Sequence, residues 1–87
     1  MKERKVTIKH EVGLHARPAA QFVKTASKYT SDVTLSYDGK TKNAKSILGV
    51  LSMGVGANAE ITIQAEGDDE EKVINALAEL INDNFGE

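Results

Sequence analysis

A chain of 87 residues with a formal net charge of −2 is a poor candidate for direct nucleic-acid binding, because a phosphate-tracking surface draws on a basic excess. It has no cysteine, which excludes disulfides and thiol catalysis, and its 40% hydrophobic and 28% charged residues are ordinary for a soluble globular protein. The length suits one domain over residues 1–87 with a small core, and no apolar run follows the charged start Met1-Lys2-Glu3-Arg4-Lys5, so a cytoplasmic protein without membrane insertion is expected.

Val6 and Ile8 alternate with Lys5, Thr7 and Lys9, the pattern of a half-buried strand with one wet face. His10 follows at the strand end and reads as a surface residue. It has no second ligand at metal spacing, so no metal site is expected.

The next stretch, Gly13-Leu14-His15-Ala16-Arg17-Pro18-Ala19-Ala20, crosses from loop to helix. Pro18 has no backbone N–H and fits a first helical turn, where that donor has no intrahelical acceptor. Ala19, Phe22, Val23 and Ala26 then recur at three- and four-residue steps, which predicts a helix from about Ala16 to Lys28. Lys24 and Lys28 fall near its C-terminal end, where cations suit the dipole. His15 and Ala16 stand at its mouth, with Arg17 close by. An imidazole, a guanidinium and a set of backbone amides thus converge on one spot suited to a phosphate. Arg17 and the helix dipole both disfavour the imidazolium, so the pKa of His15 is expected below its usual value. A neutral ring keeps a lone pair that can attack phosphorus. Taken alone, the same residues also fit a surface or capping histidine beside a solvated arginine, or an anion site with no covalent step.

Val33, Leu35 and Tyr37 alternate with Thr34 and Ser36 in a second strand, and Asp38-Gly39 signals a two-residue hairpin turn. Lys40 to Asn43 return as a short third strand. Lys40, Lys42 and Lys45 form a basic cluster that fits either a solvated edge, which discourages sheet-to-sheet pairing, or a patch for an acidic partner surface; Lys40 and Lys42 read as the solvated edge. Ser46 reads as the N-cap of a short helix over Ile47-Leu48-Gly49-Val50-Leu51-Ser52-Met53, in which Gly49 is a weak point. This stretch has more apolar residues than one buried face of a short helix needs. Ile47, Leu48 and Leu51 therefore fit either a core or an exposed docking patch.

Gly54-Val55-Gly56-Ala57-Asn58-Ala59 matches a dinucleotide fingerprint in letters only, since it follows a helix and precedes a strand; it reads as a loop. Ile61, Ile63 and Ala65 alternate in the last strand. Asp68 with Glu71, or Asp69 with Lys72, frames the start of a final helix, and only the first pair fits an acidic capping box; the apolar face of that helix is Val73, Ile74, Leu77, Leu80 and Ile81. The alternating strands suit an antiparallel sheet covered on one side. The expected fold is a two-layer α+β open-faced sandwich, βαββαβα.

The His15 segment resembles the active-site segment of HPr, the histidine-containing phosphocarrier family of the bacterial phosphoenolpyruvate:sugar phosphotransferase system. The stretch Asn43-Ala44-Lys45-Ser46-Ile47-Leu48-Gly49-Val50-Leu51-Ser52 resembles the regulatory-serine segment of the Gram-positive members. The likeness runs from Val6 to about Leu80. The main departure is Leu48 and Leu51, which stand where methionines are common and bear on fine partner preference. The resemblance implies a four-stranded sheet of order 1-4-2-3 under three helices. It implies a stoichiometric phosphoryl carrier with no cofactor, not a self-sufficient enzyme. Enzyme I, charged by phosphoenolpyruvate, would phosphorylate His15 at Nδ1, and sugar-specific IIA proteins or domains would accept the group. Arg17 would balance phosphate charge, the amides of Ala16 and Arg17 would cradle it, and Ala20, Lys24, Ile47, Leu48 and Leu51 would dock the partners. It further implies phosphorylation of Ser46 by an HPr kinase/phosphorylase, and an alternative role as a regulatory module that acts through phospho-Ser46 as corepressor with a catabolite-control repressor. The related catabolite-repression HPr lacks the active-site histidine, so His15 favours the carrier form. A monomer is expected, as suits a small carrier that visits several partners.

Overall fold

The computed structural model describes residues 1–9, 16–83 and 85. Its elements are β1 (Lys2–Thr7), α1 (Ala16–Ala26), β2 (Asp32–Tyr37), β3 (Lys40–Asn43), α2 (Ile47–Ser52), β4 (Glu60–Glu66) and α3 (Glu70–Asn82). All strand pairings are antiparallel, and the sheet order is β1-β4-β2-β3. The helices cover one face. Beneath them Val33, Leu35, Ile61, Ile63 and Ala65 alternate inward from the two central strands, against Phe22 of α1, Val50 of α2, and Val73, Leu77 and Ile81 of α3. The two-layer sandwich and its order agree with the expectation.

The open face is polar and internally bonded. Gln64 donates to Glu3 at 2.7 Å, the Thr34 hydroxyl donates to Gln64 Oε1 at 3.3 Å, and Ser36 and Thr41 share a bond of 2.9 Å. Both sheet edges are charged. β1 brings Lys2, Arg4 and Lys5, and β3 brings Lys40 and Lys42, all exposed, which opposes edge-to-edge association. The hairpin turn forms as predicted, with Asp38 at φ 51° and Gly39 at φ 79°.

Three boundaries differ from the sequence reading. β1 starts at Lys2, because its charged half is held by the β4 ladder from Lys2↔Ala65 onward and needs no alternation of its own. Ile8 lies past the strand yet is fully buried, and its backbone exchanges bonds with Ala59 (2.8 Å) and Asn58 (2.7 Å). α1 ends at Ala26, two residues early. Lys28 and Tyr29 turn back three residues, to the carbonyls of Thr25 and Ala26, which tightens the chain toward β2. Within the 54–59 loop, Val55 is buried.

The capping box at α3 does not form. The N-cap is Asp69, and its carboxylate makes no side-chain bond to the helix. It accepts instead from the amides of Thr30 and Ser31, each at 2.9 Å, from the Thr30 hydroxyl at 3.3 Å and from the Ser31 hydroxyl. Glu70 takes a local role, accepting from the Gly67 amide at 3.2 Å. Asp69 thereby ties the α1–β2 turn to the β4–α3 turn. Ser31, 1% exposed, is the one buried polar residue among those described, and Asp69 supplies its acceptor.

These bonds hold the Asp69 carboxyl well below the usual range, from 3.8 to about 2. The Ser31 hydroxyl is the largest cause, followed by the Thr30 amide. A carboxyl whose folded pKa is depressed contributes stability that is present above its unfolded value and lost as pH falls toward the folded one. The Asp69 contribution is therefore complete above about pH 4 and gone near pH 2. Denaturant titrations at pH 7, 4 and 2.5 should show the wild type losing stability through this window. An Asp69→Asn chain should be weaker at pH 7 and converge on the wild type at the acid end.

Candidate functional site

α1 begins at Ala16, immediately after the histidine singled out above. His10 and His15 lie outside the described residues, as do the residues between them. Pro18 sits in the first turn and is buried, no acid occupies that turn, and Ala16 and Arg17 are exposed beside it. A helix start without a carboxylate presents the positive end of the dipole with no internal counter-charge. Ala16, Ala20 and Lys24 follow at four-residue steps and are all exposed, so they share one outer strip of α1.

α2 packs against α1. It anchors itself through Val50, which is fully buried, and leaves its other apolar side chains outward. Leu48 is 78% exposed, and Ile47 and Leu51 are each 37% exposed. The two readings of this segment are thus divided among its residues: Val50 serves the core, while Ile47, Leu48 and Leu51 form an apolar surface on a six-residue helix.

Ser46 caps α2 as its position predicts. Its backbone is extended (φ −111°, ψ 115°), and its hydroxyl accepts from the Gly49 amide at 3.1 Å. The turn before it is set by Asn43, whose side chain accepts from the Lys45 amide at 2.9 Å and whose carbonyl accepts from the Ser46 amide at 3.1 Å. The Lys45 ammonium, read as part of a surface cluster, instead donates to the Tyr29 carbonyl at 2.8 Å. It ties the Ser46 turn to the turn between α1 and β2. This contact spans 16 residues of sequence and has no local signature. β3 is an edge strand with Lys40 and Lys42 exposed, which agrees with the solvated-edge reading of those two.

Among the described residues, no group of three His, Cys, Asp or Glu side chains is placed to hold a metal, and no helix is long and apolar enough to cross a membrane.

A family model described as the PTS HPr component phosphorylation site matches residues 2–83. The chain belongs to the HPr family. HPr-C-His from Thermoanaerobacter tengcongensis is 53% identical, with 100% of this chain and 98% of that chain covered and a TM-score of 0.97. The phosphocarrier protein HPr of Bacillus anthracis is 42% identical over 92% of this chain and 95% of its own, at a TM-score of 0.89. Crh, a catabolite repression protein of Bacillus subtilis solved as a dimer with a swapping domain, is 44% identical over 97% of each chain, at a TM-score of 0.77. HPr membership supports a phosphocarrier role in the phosphotransferase system, and Crh shows that regulatory proteins share this frame.

Proposed function

We propose that this chain is a stoichiometric phosphoryl carrier that takes the group from enzyme I onto His15 and hands it to sugar-specific IIA proteins. The observation that carries this reading is the start of α1 directly after His15, with Pro18 in its first turn and no acid there. In the forward step a lone pair of neutral His15, at Nδ1, attacks phosphorus. The new N–P bond forms as the bond from phosphorus to enzyme I breaks, and the electron pair of the broken bond leaves with enzyme I, so no oxidation or reduction takes place. The added negative charge then meets Arg17 and the first-turn amides of Ala16 and Arg17. Such an anion gains about 0.3–1 kcal/mol, up to about 2 when partly buried. This is enough to hold the group and small enough to release it. The partners supply the donor and acceptor chemistry, and Ala20, Lys24, Ile47, Leu48 and Leu51 dock them.

The test is a relay. A trace of this protein with phosphoenolpyruvate, enzyme I and a IIA protein should move many equivalents of phosphoryl group to IIA. A relay no faster than one without the protein would defeat the reading. Leu48→Asp should slow each transfer on the order of tenfold in kcat/KM, as loss of an exposed apolar anchor costs about 1–2 kcal/mol of binding. Because Leu48 is exposed, the melting temperature should not move.

Ser46 supports a second role. Its position beside the exposed Ile47 and Leu48, and the likeness to Crh, favour phosphorylation there by an HPr kinase/phosphorylase. A phosphoserine adds about −1.5 to −2 charges next to the docking surface, which repels acidic partners and favours basic ones, here a catabolite-control repressor. The fold tolerates the change, since an anion suits a helix start.

A further inference from the structure

We infer that Gly49 is a positioning residue for phosphorylation of Ser46: its amide aims the serine hydroxyl, and its missing side chain keeps that hydroxyl open. The inference rests on the reading of Ser46 as a modified residue given above.

Helix propensity does not explain the glycine. Gly49 lies inside α2 with an ordinary helical backbone, where glycine is the worse choice than alanine. The local geometry does explain it. A Cβ built at 49 would come within 3.3 Å of the Ser46 hydroxyl oxygen, 3.4 Å of Ser46 Cβ and 3.5 Å of the Asn43 carbonyl oxygen. Ser46 is half-buried, and its oxygen already accepts the Gly49 N–H at 3.1 Å. A methyl group at 49 would therefore stand over the flank of the one atom that must bond phosphorus. Neighbouring side chains leave little freedom to move away. Lys45 is held to the Tyr29 carbonyl, and the Asn43 bonds fix the turn.

The step itself is ordinary phosphoryl transfer. The Ser46 oxygen attacks the γ-phosphorus of ATP, the bond to the ADP oxygen breaks, and the hydroxyl proton passes to a base on the kinase. The reaction needs the oxygen in line with the leaving group, and misplacement by a fraction of an ångström or crowding of the incoming oxygens lowers the rate. The Gly49 N–H orients the serine before the kinase binds, and the hydrogen in place of a side chain leaves room for three phosphoryl oxygens.

The experiment compares wild type, Gly49→Ala and Val50→Ala as substrates of HPr kinase/phosphorylase with ATP, with kcat and KM measured separately and melting temperatures recorded. Gly49→Ala should lose on the order of tenfold in kcat, with KM for the protein near wild type and no fall in melting temperature beyond that of Val50→Ala. Val50→Ala empties a core position of the same helix and keeps the amide that bonds the Ser46 carbonyl at 2.9 Å, so it should melt earlier and keep its kcat. Equal kcat for wild type and Gly49→Ala would overturn the inference alone. So would an equal loss in Val50→Ala, which would show that loosening α2 suffices. A wild-type chain that takes no phosphate at Ser46 would overturn both the inference and the reading of Ser46 beneath it.

Discussion

A Gly67→Ala chain is expected to lose a large share of its stability. Gly67 has φ +151°, a backbone region that L side chains rarely enter. A Cβ there would sit 2.6 Å from the Ser31 hydroxyl oxygen, 2.8 Å from Ser31 Cα and 2.9 Å from Ser31 Cβ. Two of these atoms belong to a buried residue's frame and cannot swing aside. Backbone strain of about 1–3 kcal/mol and overpacking of about 1–3 kcal/mol together give a loss of roughly 2–6 kcal/mol. A domain of this length has a total near the lower end of the usual range, about 5 kcal/mol. Any shift of Ser31 also pulls its amide and hydroxyl from Asp69, so the two turns separate. Gly39→Ala is the comparison: φ is +79° but nothing lies within 4 Å, so only the strain, about 1 kcal/mol, should appear. Urea melts of the three chains decide the matter. Similar losses in both variants would mean that the close approach to Ser31 carries no weight.

The second large effect concerns chemistry and not folding. His15→Ala should remove all phosphoryl uptake from phosphoenolpyruvate and enzyme I, because the side chain that would form the N–P bond is gone. Uptake from ATP at Ser46 should persist in the same chain. Ser46→Ala should give the converse pattern, with full relay activity and no ATP-dependent adduct. It should also cost about 1 kcal/mol of stability through the lost cap on α2. The pair of variants therefore separates the carrier role from the regulatory one. A His15→Ala chain that still relayed phosphoryl groups to IIA would place the acceptor elsewhere.

Where sequence and structure agree, the signal is local. Period-two alternation locates β2 and β4, Asp38-Gly39 locates the hairpin, and Ser46 before an apolar run locates the α2 cap. Where they part, the deciding contact is distant in sequence. Asp69 reads only as one of two residues that frame the start of its own helix, yet its carboxylate serves Thr30 and Ser31, 39 and 38 positions earlier. Lys45 reads as a member of a basic cluster, yet Tyr29 in the turn after α1 supplies its acceptor. Phe85, four residues past Ile81 and beyond the end of α3, is 2% exposed and joins the core at φ 59°, outside the helical backbone that its spacing alone implies. The candidate site has a similar division. The order histidine, arginine, proline and the helix start are legible in the letters, since each acts through its own backbone neighbours. The exposure of Ile47, Leu48 and Leu51, against the burial of Val50 between them, depends on how α2 lies on the core. Gly49 is read from its sequence as a weak point in a helix, and only its distance to Ser46 gives it a purpose.

The most direct test of the carrier reading is the intact mass of the wild-type chain after incubation with phosphoenolpyruvate and enzyme I, before and after brief acid treatment. One phosphoryl adduct that acid removes, and that is absent from His15→Ala, is the predicted result. No adduct, or one that survives acid, would contradict the assignment of His15 as the carrier residue.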